Sequence, residues 1–146
     1  MEKHIKTNKQ TILFLCTHNA VRSQMAEGLM NGFFSHQFEA FSAGVEPTKV
    51  HPLAVQVMKE LDIDISNQVS KHITVFQDRT FNYVISVCDN AREICPFFPG
   101  KQVLHQSFYD PSQVEGPEEE QLAVFRRVRD DIKTWLFTLV EEDKHQ

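Results

Sequence analysis

No apolar run in this chain is long enough to cross a bilayer or to form the core of a secretion signal. The first, Ile12 to Cys16, has five residues, against about 20 for a spanning helix. Residues 1–10 before it are polar and are read as a tail. The expectation is a cytoplasmic, membrane-free protein. Basic clusters are missing too: Lys and Arg number 15 against 20 Asp and Glu, for a net charge of −5. That excludes nucleic-acid binding through a basic face, so an anionic ligand must be held locally against an unfavourable overall field. Cysteine is scarce and odd in number, three in 146 residues. A fully paired disulfide scaffold is thereby excluded, and a reducing compartment fits better. There is no internal repeat and no low-complexity linker. The acidic runs Glu118-Glu119-Glu120 and Glu141-Glu142-Asp143 read as solvated surface.

The length fits one domain, residues 11–146, and 41% apolar residues with 12 Phe supply its core. Strand-like and helix-like segments alternate. Thr11 to Leu15 is a continuous apolar run, as in a strand buried on both faces. Met25, Ala26, Leu29, Met30 and Phe33 mark a helix over Ser23–Phe34. Phe38–Ser42 is a second strand. Pro52 opens a helix with Leu53, Val57 and Leu61 as its stripe. Tyr83–Val87 is a third strand and Gln102–His105 a weaker fourth. Pro117 opens a long final helix, buried along Leu122, Phe125, Val128, Ile132, Leu136 and Leu139 or Val140. This alternation predicts an α/β fold with a mostly parallel sheet and helices on both faces. Ligands of such sheets bind beyond the carboxyl ends of the strands, at the topological switch point. Cys16 ends the first strand and Cys88 follows the third. If those strands are neighbours, both thiols face one crevice.

Cys16-Thr17-His18-Asn19-Ala20-Val21-Arg22-Ser23 is a Cys-x5-Arg loop between strand and helix. Backbone N–H groups of such a turn converge on an anion, and the helix N-terminus adds its field, which also favours a thiolate at Cys16. Arg22 brings a planar fork for two oxygens of a tetrahedral oxyanion. Ser23 is placed to cap the helix and to donate its hydroxyl to the Cys16 sulfur. Asn19 suits a left-handed turn position, and so does His18. The spacing alone is weak, since six arginines and three cysteines produce it by chance about one time in eight. The strand before it and the amphipathic helix after it give it force. A small buried hydrophobe at a strand end is the plainer alternative for Cys16.

Cys88 and Cys95 are seven apart, which on a helix is about 10.5 Å. A disulfide needs Cα atoms within about 7 Å. The two cannot bond while Asp89 to Ile94 is helical, so bridging requires that segment to unwind or loop out. By spacing alone they could equally be two buried positions on one helix face; the spacing is not that of a zinc knuckle. Asp110, before Pro111, is a candidate acid for a leaving oxygen, or simply an Asp-Pro turn. The remaining histidines, His4, His36, His51, His72, His105 and His145, show no ligand spacing.

The segment Ile12-Leu13-Phe14-Leu15-Cys16-Thr17-His18-Asn19-Ala20-Val21-Arg22-Ser23-Gln24-Met25-Ala26-Glu27-Gly28 resembles the active-site segment of the low-molecular-weight tyrosine phosphatase superfamily. Within it, the chain is most similar to the thioredoxin-coupled arsenate reductases. Phe41-Ser42-Ala43-Gly44, Asp62 to Gln68, Val87-Cys88, Cys95-Pro96, Asp110-Pro111 and Phe125 to Asp130 carry the likeness onward. His18 stands where a Gly is usual and Val21 where a second Cys often sits; neither is a redox thiol.

The resemblance implies a three-layer sandwich around a central four-stranded parallel sheet. It implies a monomer that takes arsenate, with phosphate or sulfate as mimics. Cys16 would be the nucleophile, Cys88 and Cys95 the resolving thiols, Asp110 the acid and thioredoxin the external reductant, with no tightly bound cofactor. A monovalent-cation site is implied at Asn19, Glu27 and Ser42. Its fourth position, acidic in the family, is Lys71 here, whose ammonium is expected to replace the cation, so no metal is expected to be required. The runner-up is a protein tyrosine phosphatase, which needs only Cys16, Arg22 and Asp110. Against it, Ser112-Gln113 follows Asp110-Pro111 where phosphatases carry aromatic residues. A third reading is a non-enzymatic oxyanion or thiol sensor.

Overall fold

The computed structural model describes residues 9–89, 93 and 95–145. The expectations for residues 1–8 of the tail, His4 included, and for residues 90–92 and 94 between the two cysteines lie outside the described residues. Four strands form the sheet: β1 (Gln10–Leu15), β2 (Phe38–Ala43), β3 (Tyr83–Ser86) and β4 (Gln102–His105). All pair in parallel, in the order β2-β1-β3-β4. The α-helices are α1 (Arg22–Phe33), α2 (Pro52–Lys59) and α3 (Glu118–Asp143).

β1 shows why its sequence is apolar without alternation. Ile12 and Phe14 enter a core shared with α1, α2 and α3. Leu13 and Leu15 enter a second core with Phe76, Phe81, Val84 and Phe98. Both faces of the strand are covered from Ile12 to Leu15, so each of those four positions is apolar. Each fully buried Leu, Ile or Phe contributes about 1.5–3 kcal/mol. The two faces are covered differently, however. All three α-helices pack on the first. Among the described residues the second is closed by a 3-10 helix, Ile73–Phe76, and by the aromatic rings of Phe76, Phe81 and Phe98, which meet edge to face. Bulky rings fill much of that layer.

α2 departs from its expected stripe. It buries Ala54, Val57 and Met58 and ends at Lys59, leaving Leu61 beyond it. The His51 ring accepts from the Leu53 N–H at 3.1 Å and Pro52 opens the first turn, which sets the phase. Asp62, at φ 61°, turns the chain away after the helix. α3 follows its predicted face, and both Leu139 and Val140 are buried. Its last acidic run is not all solvated: Asp143 accepts from the Tyr83 hydroxyl and from Gln10 Nε2, at 2.7 Å in the latter case. Burial and that bond push the Tyr83 hydroxyl up to about 12. Arg129, also in α3, is buried and donates to the Val57 carbonyl and to Glu60, each at 2.8 Å. Among the described residues no helix is long and apolar enough to cross a membrane.

The chain runs from β1 outward to β2, then back across to β3. The order therefore reverses between β1 and β3, which are direct neighbours with Leu15 beside Ser86. The Val87 N–H donates to the Leu15 carbonyl at 2.8 Å, one residue before each of Cys16 and Cys88. Both cysteines thus leave the sheet at its switch point.

Candidate active site

The loop from Cys16 to Arg22 is held from outside by its carbonyls. Thr17 O accepts from Val45 N and Glu46 N at 3.0 and 2.9 Å, and Ala20 O from His51 N at 3.0 Å. His18 O accepts from Ser70 Oγ and Asn19 O from Gln24 Nε2, both at 3.0 Å. Among the described residues no peptide bond is cis. In a trans peptide the N–H points opposite to the C=O. Outward carbonyls at residues 17–20 therefore turn the N–H groups of residues 18–21 inward, as an anion nest requires. No side chain caps α1, which leaves its first N–H groups to the same concavity. Ser23 is thus not the expected cap; Val21 stands at that position. Asn19 takes the left-handed conformation at φ 50°, whereas His18 is not among the residues with positive φ. Gly44 lies against the outside of the loop. A Cβ there would sit 2.6 Å from Thr17 O, 2.7 Å from Cys16 O and 3.0 Å from Asn19 N.

Cys16 is a buried free thiol whose sulfur is 2.9 Å from Ser23 Oγ. Asn19 Nδ2 donates to that same hydroxyl oxygen at 2.8 Å. With its oxygen so engaged, Ser23 has its proton free for the sulfur. Arg22 is 2% exposed, and its Nε is a buried nitrogen without a hydrogen-bond partner among the described residues. Its two terminal nitrogens meet Glu93 at 2.6 and 3.0 Å, and one of them lies 3.5 Å from Asp110 Oδ2. Burial works to lower the Arg22 pKa, but the Glu93 bond and the charges of Cys16, Asp110 and Glu93 outweigh it and raise it. Asp110 Oδ1 accepts from Ser112 N at 3.0 Å and Ser112 Oγ at 2.7 Å. Asp110 is therefore both an Asp-Pro turn, capping the 3-10 helix Pro111–Gln113, and a wall of the site. His18, Asp89, Glu93, Tyr109, Asp110 and Gln113 line a cavity of about 340 Å³ at its mouth.

Cys88 and Cys95 are joined in a disulfide with Cα atoms 5.9 Å apart. Cys88 is fully buried, while Cys95 is half-buried on a cavity with Pro96, Phe97 and His105. Among the described residues the bridge is thus more open on the Cys95 side.

Asn19, Ser42 and Glu27 do come together. Asn19 Nδ2 donates to Ser42 Oγ at 2.9 Å, and Ser42 Oγ donates to Glu27 at 2.5 Å. Asn19 Oδ1 accepts from the Lys71 N–H at 2.9 Å, and Lys71 Nζ donates to Val69 O at 2.6 Å. Burial raises the Glu27 pKa, against the Ser42 bond and the Lys71 charge. Burial also lowers the Lys71 pKa, against the Glu27 charge. A carboxylate facing an ammonium, with its oxygen donors already paired, is a poor fit for a further cation. No group of three or more His, Cys, Asp or Glu among the described residues could hold a metal.

Sequence reasoning missed Glu93, Gln24 and the close approach of Gly44. Glu93 sits 71 residues from Arg22 and follows no spacing rule. Gln24 is buried and links Asn19 O to Val69 O and Gln68, ties that only the folded chain creates.

Residues 11–146 match the model of the low molecular weight phosphotyrosine protein phosphatase family. The chain is 44% identical over 138 residues to the arsenate reductase of Halalkalibacterium halodurans, covering 94% of this chain and 99% of that one. An arsenate reductase solved in its phosphate-binding state superposes with a TM-score of 0.72 at 32% identity, over 91% of this chain and 98% of the other. A thioredoxin-dependent arsenate reductase of Corynebacterium glutamicum does so at 0.60 and 28% identity, over 92% of this chain and 65% of its own. With its Cys-x5-Arg nest at the switch point of a parallel sheet, the chain belongs to the low molecular weight phosphotyrosine protein phosphatase family.

Proposed function

We propose that this chain is a cytoplasmic, monomeric arsenate reductase that works through a three-thiol relay closed by thioredoxin. The observation that carries the reading is the disposition of the thiols. Cys16 is free inside the anion nest, and Cys88 leaves the neighbouring strand bonded to Cys95. Hydrolysis of a phosphate ester needs the first and has no use for the pair. The relatives named arsenate reductase point the same way.

Arsenate enters the loop with its oxygens on the inward N–H groups and the Arg22 guanidinium. The Cys16 thiolate, held by Ser23, attacks arsenic, and Asp110 protonates the departing hydroxyl, which leaves as water. The thiolate of Cys88 attacks the Cys16 sulfur. The S–As bond breaks with its electron pair going to arsenic, so As(V) becomes As(III) and arsenite departs, leaving a Cys16–Cys88 disulfide. Cys95 then attacks Cys88, freeing Cys16 as thiolate and forming the Cys88–Cys95 bridge. A thioredoxin dithiol reduces that bridge by attack from the Cys95 side. Lys71 supplies the positive charge beside Glu27, so turnover is independent of whether potassium or sodium is the buffer cation.

Mass spectrometry of the thiols after arsenate treatment tests the reading. The expected product carries a Cys88–Cys95 disulfide and a free Cys16. Wild-type turnover of arsenate by Cys88→Ser or Cys95→Ser with thioredoxin overturns it. Aryl phosphate hydrolysis with three free thiols throughout assigns the chain to phosphatase chemistry instead.

A further inference from the structure

Glu93 holds a position that the relay does not use. Its carboxylate accepts from both terminal nitrogens of Arg22 at 2.6 and 3.0 Å, from Thr17 Oγ1 at 2.6 Å and from the Asp89 N–H at 2.9 Å. Two of those residues, Thr17 and Arg22, belong to the oxyanion loop. Three of the four donors around this anion are therefore loop groups that would also face arsenate. The residue also lines the mouth of the site beside Asp110 and His18. A bidentate guanidinium–carboxylate pair with one partner almost wholly buried is among the stronger polar contacts a protein makes.

The disulfide lies two residues from this carboxylate. Cys95, two residues past Glu93, is held with its Cα 5.9 Å from that of Cys88. On a helix the same two Cα atoms would lie about 10.5 Å apart. Bridging therefore fixes Cys95, two residues past Glu93, close to the end of β3, next to the loop that begins at the end of β1. We propose that, in the oxidised enzyme, Glu93 is an internal anion that occupies the Arg22 fork and shuts arsenate and phosphate out until the Cys88–Cys95 bridge is reduced. The proposal rests on the reductase reading, whose cycle ends in this oxidised form. It gives the cycle an order, because spent enzyme does not hold substrate it cannot reduce. Linkage makes the effect reciprocal: if the bridge weakens oxyanion binding, an oxyanion must favour the dithiol by the same factor.

Inorganic phosphate is the probe. Its affinity is measured by calorimetry for the full chain with the bridge closed and with it reduced by a phosphine, the thiol state of each sample being checked by mass. The oxidised wild type is expected to bind at least ten-fold more weakly than the reduced form. In Glu93→Ala and Glu93→Gln the two redox states should agree within about three-fold. Saturating phosphate should raise the reduction potential of the wild-type Cys88–Cys95 couple by about 30 mV for each ten-fold difference in affinity. Equal affinities in the two wild-type states, a difference that survives in both variants, or a potential indifferent to phosphate each overturn the proposal. Arsenate turnover by the wild type with thioredoxin is measured alongside. Its absence refutes the reductase reading alone, whereas turnover without a phosphate difference refutes the Glu93 gate alone.

Discussion

Replacing Gly44 by Ala adds one carbon where the active-site loop has no room for it. The new Cβ would sit 2.6 Å from Thr17 O, 2.7 Å from Cys16 O and 3.0 Å from Asn19 N, all backbone atoms. Ordinary contact begins near 3.4 Å, so Thr17 O must retreat by about 0.8 Å and Cys16 O by about 0.7 Å. Neither can do so by a rotamer change. Thr17 O is also the acceptor for Val45 N and Glu46 N, so moving it strains two further bonds. Overpacking of this kind costs about 1–3 kcal/mol. A displacement approaching 1 Å in a catalytic loop costs about 100-fold in rate. The expected result is a fall of about 100-fold in kcat/KM for arsenate with thioredoxin, together with a lowered urea midpoint. Gly32→Ala is the control. Its Cβ meets only the Ile63 side chain, at 2.8 Å from Cδ1 and 3.0 Å from Cγ1, with no backbone atom among its nearest neighbours, on an exposed position of α1. Helix propensity favours Ala by about 1 kcal/mol, so stability and activity should hold. If Gly44→Ala keeps kcat/KM within three-fold of wild type, the loop is not positioned by this contact and the reasoning fails.

Ser23→Ala should lower kcat/KM for arsenate by 10- to 100-fold, since a hydrogen bond to a charged group is worth about 1.5–3 kcal/mol; Asn19 Nδ2 keeps Ser42 as a partner, so thermal stability should change little. A loss below three-fold in stopped-flow kinetics counts against Ser23 as the donor to sulfur. Glu93 carries a pH signature in the oxidised form. Partial burial works to raise its pKa, but the bonds from Arg22, Thr17 and Asp89 hold it at about 2, below the ordinary 4.5. A depressed acid contributes stability that is complete above the unfolded value and lost as pH falls through the folded one. The drop corresponds to about 3 kcal/mol at most, which solvent screening reduces to about 1–2 kcal/mol. Urea midpoints of oxidised wild type and Glu93→Gln should therefore differ at pH 6 and converge between pH 4.5 and 2; a gap independent of pH refutes the assignment. Arg129→Ala removes a buried donor to Val57 O and Glu60 and should cost about 2–3 kcal/mol in chemical denaturation, while arsenate turnover per folded molecule stays unchanged.

The parts of the fold that were legible in the sequence are those with strong local periodicity. β1 reads as doubly buried because Ile12, Leu13, Phe14 and Leu15 serve two cores, and α3 because its apolar positions recur at helical spacing. Cys16 and Cys88 could be assigned to one crevice from the strand ends alone, given that β1 and β3 are neighbours. What stayed hidden depends on pairs distant in sequence. Nothing local marks Glu93 as a partner of Arg22, or Asp143 as the acceptor of the Tyr83 hydroxyl. The residues that close the second face of the sheet were hidden for a related reason. Phe76, Phe81 and Phe98 lie in irregular segments without a period to read, yet their rings close that layer. Ser23 illustrates a boundary effect: α1 begins at Arg22, so Ser23 lies inside the first turn and not at the cap, and its hydroxyl accepts from Asn19 and serves the Cys16 sulfur.

A buried guanidinium constrains everything around it. Arg22 is nearly inaccessible to water, and a charge so placed is costly unless paired. In the bridged form Glu93 supplies the pairing, with Asp110 3.5 Å away. That pairing is incomplete, because Glu93 engages the two terminal nitrogens and leaves Arg22 Nε without a partner. A tetrahedral oxyanion has more oxygens to offer than a carboxylate, and it also meets the inward N–H groups of residues 18–21. Once the bridge opens and no longer holds Glu93 in place, the oxyanion is the better partner for the same charge. The loop thus has an anion in each redox state, and the disulfide decides which one. An acidic protein with a net charge of −5 can hold an anionic substrate on these terms because the decision is made by donors within hydrogen-bond reach and not by the overall field.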